Sequence, residues 1–453
     1  MKPSTPIDES YKLTVPLSGE VVVEANTSIG LSYGLTTFSQ LFYKHSHAGV
    51  YMTNAPVVIE DRPLFSHRGL NLDTARNYLT VEDIKRTLDA MALTKMNRLH
   101  WHITDAQSWP LVIPALPELA EKGAYARNLV YTPAQLAEVM EYSSLLGVET
   151  IIEIDMPGHT SSIWFSHPEL IASFNSQPYD KNCAEPPCGT LKLNDSAVYN
   201  FVDKLLDDLL PRVSQFSGYF HSGGDEIKEN AYLLDETVRS NDSAVIQPLL
   251  QTFVDHVHAK IRAAGLTPMV WEELLLQWNL TLGSDILVNS WRSEQGALEI
   301  VQKGHKVLVG NYDTWYLDCG QGQWINFTPN TSAAFYPYND YCSPRHNWRL
   351  MYSVNPLHKI PADLQHLVMG GEVHLWSEQM DGVNLDKQAW PRAAAAAEVL
   401  WSGAIEPATG VNRSQIDAAL RLSEFRERLV ARGITAEPIQ MPFCTQNGTQ
   451  CVI

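Results

Sequence analysis

From Gly69 onward, short runs of β-type residues alternate with longer stretches in which apolar positions recur at helical spacing. Strands are predicted at 69–73, 98–103, 150–154, 218–221, 268–271, 286–289, 306–309 and 366–369. Helical stretches between them include 81–95, 133–146, 197–210 and 248–264. Thr80, with Asp83 three residues later, supplies an N-cap for the first of these. Gly147 and Gly265 each follow a helical stretch and precede a strand, where a C′ glycine belongs. Eight strand–helix repeats imply a parallel sheet, and eight strands close a (β/α)8 TIM barrel of the α/β class. An open doubly wound sheet is the alternative, but no G-x-G-x-x-G follows the first strand. Before Gly69 the pattern differs: strands at 11–15, 20–24 and 56–60 surround one helix at 31–43. That is too little chain to close a core, so it reads as part of an α+β domain lying against the barrel.

Composition narrows the functional classes. The chain has 453 residues, 45% of them apolar, with 12 Trp, 18 Tyr and 13 Phe, enough to bury a large core. A net charge of −18 repels nucleic-acid phosphates and anionic membranes, and no run of apolar residues is long enough to span a bilayer. The six cysteines fall in close pairs, Cys183 with Cys188, Cys319 with Cys342 and Cys444 with Cys451. None has tight zinc spacing, so three local disulfides are expected, with buried free thiols as the alternative. Eight Asn-x-Ser/Thr sequons, at Asn26, Asn194, Asn241, Asn279, Asn326, Asn330, Asn412 and Asn447, point to a secretory route and an extracellular location. The opening residues contain no apolar signal segment, which predicts a chain shortened at its start. The expected organisation is a partial α+β accessory domain at 1–62, the barrel at 63–435 and a disulfide-closed tail at 436–453.

Chemistry in such a barrel gathers at the C-terminal ends of the strands. In this sequence those ends offer Arg68, Asp73, His100, His102, Asp105, Asp155, His159, His221, Asp225, Glu226, Glu272, Glu273, Arg292, Asp318, Glu372, His374 and Glu378. Trp271, Trp291, Trp315, Tyr316 and Trp376 accompany them. Carboxylates beside aromatic rings suit a sugar, whose C–H faces stack on rings while its hydroxyls take charged partners. Adjacent acids such as Asp225 and Glu226 point to opposite faces of an extended strand. The preceding Gly223 and Gly224 allow an irregular exit that turns both into one pocket, where close like charges raise the proton affinity of one. A solvated surface dipeptide is the bland alternative. His100 and His102 share a strand face and offer a metal-hydrolase alternative, with His159, His221 or Asp105 completing the ligand set.

Five motifs together resemble the family-20 glycoside hydrolases, the β-N-acetylhexosaminidases, in their secreted fungal form. They are His67-Arg-Gly-Leu-Asn-Leu-Asp-Thr-Ala-Arg76, Leu99-His-Trp-His-Ile-Thr-Asp105, Asp155-Met-Pro-Gly-His159, His221-Ser-Gly-Gly-Asp-Glu226 and Trp390-Pro-Arg-Ala-Ala-Ala-Ala-Ala-Glu-Val-Leu-Trp401. The resemblance implies a retaining exo-hydrolase that removes terminal β-linked N-acetylhexosamine from chitooligosaccharides or glycans. It implies Glu226 as general acid/base and Asp225 as partner of the substrate's 2-acetamido group, whose own oxygen attacks the anomeric carbon to give an oxazolinium. Tyr316 would bond the acetamido carbonyl, and Trp271, Trp291 and Trp376 would box its methyl. Arg68, Asp318 and Glu378 would hold the sugar's hydroxyls, with Asp105, His159 and His221 as polar neighbours of the acid. No metal or organic cofactor is implied, and the protein partner compatible with the resemblance is a second copy of the chain in a homodimer. A sugar-binding protein of the same fold without turnover is the competing class.

Overall fold

In the computed structural model, which describes residues 7–45, 47, 49–446 and 450–452, eight parallel strands close into a barrel. They are β1 (His67–Asp73), β2 (Arg98–His102), β3 (Glu149–Glu153), β4 (Tyr219–His221), β5 (Thr267–Trp271), β6 (Leu287–Ser290), β7 (Lys306–Val309) and β8 (Val368–Leu375). Closure pairs β8 with β1, from Gly370 opposite His67 to Leu375 opposite Leu72. The sequon at Asn447 lies outside the described residues. No helix among the described residues is long and apolar enough to cross a membrane.

Local chemistry sets the element boundaries. Thr80 caps the helix Val81–Leu93 in a reciprocal capping box with Asp83. Gly147 and Gly265 both stand at φ +77°, just beyond the helices Pro133–Leu145 and Ser243–Ala263, in the left-handed region that glycine enters freely. Two departures from the sequence reading have physical causes. β8 starts later and runs further than 366–369, because Gly370 and Gly371 interrupt its apolar pattern. Both are crowded: a Cβ on Gly370 would meet the His67 carbonyl at 1.9 Å, and one on Gly371 the Val309 carbonyl at 2.2 Å. Between β5 and β6 there is only the short helix Glu273–Leu276, so that repeat lacks its full outer helix.

The lumen is layered by the two-residue period of the strands. Ile151, Met269, Leu287 and Leu308 form an apolar layer towards the N-terminal end. Two residues further along the same strands come Glu153, Trp271 and Asn289, so the next layer is polar and aromatic. One strand step thus separates a hydrophobic plug from the floor of a cleft.

At the opposite end, an antiparallel sheet with strand order Val22–Ala25, Tyr11–Val15, Val57–Asp61 packs the helix Ser28–Gln40 against the barrel. Its core of Tyr11, Leu13, Val15 and Tyr33 is completed by Trp401 from the barrel helix Arg392–Ser402. This small unit borrows its central aromatic from its neighbour. Arg68 belongs here, which corrects its assignment to sugar hydroxyls. It sits at the entry of β1, fully buried, and donates to the carbonyls of Phe65 and Lys95 (both 2.8 Å) and to Glu9 (2.7 and 3.1 Å). Its guanidinium lies 5.0 Å over the Trp401 ring. The second residue of a barrel strand is at the N-terminal end, a strand's length from the rim where ligands bind.

Three disulfides, Cys183–Cys188, Cys319–Cys342 and Cys444–Cys451, close the loops that the pairing of near neighbours predicted. The first two flank the C-terminal mouth of the barrel.

Candidate active site

The exit from β4 places the two adjacent acids. Gly223 and Gly224 adopt φ +70° and +100°, and Glu226 itself stands at +52°. Neither glycine can be replaced without displacing a neighbour: a Cβ on Gly223 would fall 1.7 Å from the Asp155 carboxylate, and one on Gly224 2.5 Å from Leu274. The Gly224 amide donates to Asp155 Oδ1 at 2.8 Å, fixing the turn. This left-handed passage defeats the strand alternation, and Asp225 and Glu226 both line one cleft of about 520 Å³.

His159, at φ +53°, faces both acids. Its Nε2 is 3.4 Å from Glu226 and 3.6 Å from Asp225, while its Nδ1 donates to Asp105 at 3.1 Å. Burial opposes its charge, but Asp105 and Asp225 prevail and hold His159 well above the usual imidazole range. Burial first, and then the neighbouring Asp155, push Asp225 well above the usual carboxylate range; Glu226 contributes less. Asp155 itself is raised to about 7, chiefly by burial. The like-charge partner that most strongly protonates the site is therefore Asp155, two residues beyond the end of β3, rather than the adjacent Glu226.

Aromatic rings build the opposite walls. Trp271, Trp291, Tyr316 and Trp376 line the cleft, with Trp291 stacked on Tyr316 at 6.3 Å and Trp271 6.1 Å from Trp376. The Trp271 indole donates to Glu153 at 2.7 Å and the Trp291 indole to Glu273 at 3.1 Å, which fixes the tilt of each ring. Glu378 lines the cleft, held well above the usual carboxylate range by burial and by Glu185. Asp318 lies behind that lining, close enough to Glu378 and Tyr316 to influence both, and burial raises it to about 7. Tyr312, Trp324 and Tyr341 extend the aromatic lining outwards; the latter two come from the loop closed by Cys319–Cys342.

Arg76 is the cationic residue that sequence reasoning passed over. It lines the cleft 5.1 Å over Trp376 and pairs with Asp105 (2.9 Å), Asp73 (3.4 Å) and Glu185 (2.5 Å). Its place just past the end of β1 was the available signal. Glu185, carried on the Cys183–Cys188 loop, was missed because nothing in a short Pro-rich loop shows which way it folds.

His221 is not beside the acid. It lies in the lumen under Trp271, with ring centroids 4.8 Å apart and Nδ1 3.1 Å from Glu153. The metal alternative at His100 and His102 meets a chemical obstacle. His100 has Glu372 and Glu153 at 3.0 Å on its two nitrogens, and His102 has Glu153 at 2.5 Å and Asp105 at 2.7 Å. Against the cost of burial, these carboxylates raise the two imidazoles to about 9 and about 10, which favours the protonated form over the neutral ring that a metal ligand requires.

Sequence and structure comparisons agree with this geometry. The sequence model of the glycosyl hydrolase family 20 catalytic domain matches residues 65–404, and one described as beta-acetyl hexosaminidase like matches residues 4–41. A beta-hexosaminidase of Arthroderma benhamiae is 46% identical over 98% of this chain and 74% of its own length. A chitooligosaccharidolytic beta-N-acetylglucosaminidase of Ostrinia furnacalis is 35% identical over 99% of this chain and 76% of its own. The solved exo beta-N-acetylglucosaminidase of Vibrio harveyi superposes with a TM-score of 0.79 at 25% identity, covering 96% of this chain and 69% of that one. A barrel with two adjacent acids on a left-handed turn, an aromatic pocket facing them and matches over nearly the whole sequence lead to one assignment: the chain belongs to glycosyl hydrolase family 20, the β-hexosaminidases, and is a glycoside hydrolase.

Proposed function

We propose that the cleft hydrolyses terminal, non-reducing β-linked N-acetylhexosamine with retention, and that the substrate supplies its own nucleophile. The observation that carries this reading is the pair Asp225 and Glu226, turned by one glycine step to face an aromatic pocket. Glu226 protonates the glycosidic oxygen as the bond to the anomeric carbon breaks. The acetamido oxygen attacks that carbon, and the amide N–H, which gains positive character, is held by Asp225. The Tyr316 hydroxyl donates to the same acetamido oxygen, while Trp271, Trp291 and Trp376 enclose the methyl. Glu226 then takes a proton from the water that opens the oxazolinium. Asp155 keeps Asp225 in place through a shared proton, and His159 with Asp105 steadies the acid.

Arg76, in place of Arg68, holds the hydroxyls of the terminal sugar together with Glu378, with Asp318 behind them. The natural substrates are chitooligosaccharides or glycans, a reading supported by the chitooligosaccharidolytic activity named for the relatives of Ostrinia furnacalis and Bombyx mori. Three disulfides support an extracellular setting.

A chromogenic N-acetylglucosaminide separates this enzyme from a sugar-binding protein directly: turnover is expected, and binding without turnover refutes the reading. Glu226→Gln should lose most on substrates with poor leaving groups, whereas the Asp225→Asn defect should persist with an activated aryl group. Azide should rescue Glu226→Ala far better than Asp225→Ala. Equal losses for both acids across all leaving groups would overturn their assigned roles.

A further inference from the structure

The lumen beneath the cleft holds an unbroken row of alternating bases and acids. It runs from His67 through Glu372 (2.6 Å), His100, Glu153 and His102 to Asp105, and there meets both Arg76 and His159. Such a row is costly to bury, and removing any member strands a charge away from water. Glu153 is its branch point. It is completely buried at the end of β3, where the two-residue period places it directly below Asp155. Its Oε2 accepts from His102 at 2.5 Å with the His100 ring 3.0 Å away, and its Oε1 accepts from the Trp271 indole at 2.7 Å. One hydrogen bond on each oxygen, with a second imidazole packed against the carboxylate, leaves it little freedom to turn.

We propose that Glu153 is a positioning residue that fixes both walls of the cleft from inside the barrel: the Trp271 floor directly, and the imidazole facing Glu226 and Asp225 by way of His102 and Asp105. The inference rests on the roles proposed above for those walls. The indole N–H is the single donor of the Trp271 side chain; around it the ring packs against His100 at 5.6 Å, His221 at 4.8 Å and Trp376 at 6.1 Å. Ring contacts tolerate sliding, whereas a 2.7 Å bond to a fixed carboxylate sets both tilt and depth. On the other branch, His102 and Asp105 transmit the position of Glu153 through bonds of 2.5 and 2.7 Å. Asp105 then divides between His159 and Arg76. The attacking atom belongs to the substrate, so the two walls must agree on its placement relative to the acid. A shared anchor below both provides that agreement.

Glu153→Gln keeps the shape but puts an amide N–H opposite either the His102 imidazole or the Trp271 indole, both of which donate. One donor must turn away. The expected result is a fall in kcat of about 10²-fold with KM changed little, since misplacement by about 1 Å penalises attack more than binding. Trp271→Phe, which keeps an aromatic floor and deletes the indole donor, should fall in the same way. The double variant should lose little beyond the worse single, because the two share one interaction. The measurement is a full kinetic cycle of wild type, both singles and the double on an aryl N-acetylglucosaminide, below the melting temperature of each. Strict additivity, or full activity in a folded Glu153→Gln, overturns the proposal. If Glu153→Gln does not fold, wild-type kcat in Trp271→Phe overturns it alone. Absence of turnover in the wild type would instead overturn the reading of the cleft, so the two failures are distinguishable.

Discussion

Arg68 and Arg76 stand eight positions apart in one motif, yet they occupy opposite ends of the barrel in closely similar surroundings. Each is buried, each pairs with a carboxylate, and each lies about 5 Å over a tryptophan, Trp401 for Arg68 and Trp376 for Arg76. The difference is what lies on the remaining side. Arg68 is enclosed by backbone carbonyls and the accessory sheet, so every donor is spent on holding two parts of the chain together. Arg76 faces a cleft and is held by three carboxylates, an excess of negative charge that a solvent-free dock would not tolerate. The same side-chain chemistry therefore serves cohesion at one end and recognition at the other, and strand length decides which.

The comparison can be broken by substituting each arginine in turn. Arg76→Gln should lower kcat/KM on an aryl N-acetylglucosaminide by about 10²–10³-fold, roughly 3–4 kcal/mol, while the protein remains folded by circular dichroism. Unchanged kcat/KM would remove Arg76 from substrate recognition. Arg68→Gln should act on stability alone. It strands Glu9, whose side chain is only 10% exposed, and should cost about 3 kcal/mol in denaturant unfolding with KM unaltered. A raised KM in that variant would mean that the two ends are not independent.

A smaller effect is expected from Trp401→Phe. It deletes the indole donor to Asp61 (2.9 and 3.0 Å) and thins the ring under Arg68 and Lys95, for a loss of about 1.5 kcal/mol. Scanning calorimetry should register it without any change in turnover.

The smallest expected effect is the pH dependence of stability, which sharpens the contrast because the shifted carboxylates cluster at the cleft end. Burial raises Asp155, Asp318 and Glu272 to about 7 and holds Asp225, Glu273 and Glu378 well above the usual carboxylate range. Groups with raised folded values stabilise fully below their unfolded range near 4 and lose that contribution as pH climbs through the folded values. Buried His258 and His374, both lowered to about 3, work oppositely, but only while pH falls below about 6.5. Above that point the first set is joined by His100 and His102, at about 9 and about 10, and by His159, all of which lose their contribution as pH rises. Lys95, lowered to about 8 by burial, opposes them only above that value. The melting temperature should decline by about 1 °C between pH 6.5 and 9, and Glu273→Gln should flatten the decline. A melting temperature that rises over this interval would contradict the buried-carboxylate account.

Much of this architecture was legible before any coordinates. Runs such as 150–154 and 306–309 are too short and too β-branched for helices, and Thr80 with Asp83 marks a helix start by bonds confined to four residues. Local signals of this kind do not depend on what lies across the barrel. The Asp225–Glu226 pair was legible for a related reason: two glycines before two acids announce a backbone that can leave the strand geometry. The adjacency of His100 and His102 on one face was equally readable, but their carboxylate partners Glu153 and Glu372 come from other strands, so the pair resembled a metal site until both were in place.

The sequence by itself determined the repeat of strands, the helix caps, the near-neighbour disulfides and the residue types at the cleft, because each depends on interactions within a few positions or on one strand's period of two. Only the tertiary structure decided which end of β1 each arginine serves, that Asp155 rather than Glu226 is the neighbouring acid that most raises Asp225, that Glu185 closes on Arg76, and that β8 continues through its two glycines. These outcomes depend on contacts between distant segments, where charge, burial and steric fit are settled by the closing of the barrel, and no local pattern encodes which partner arrives.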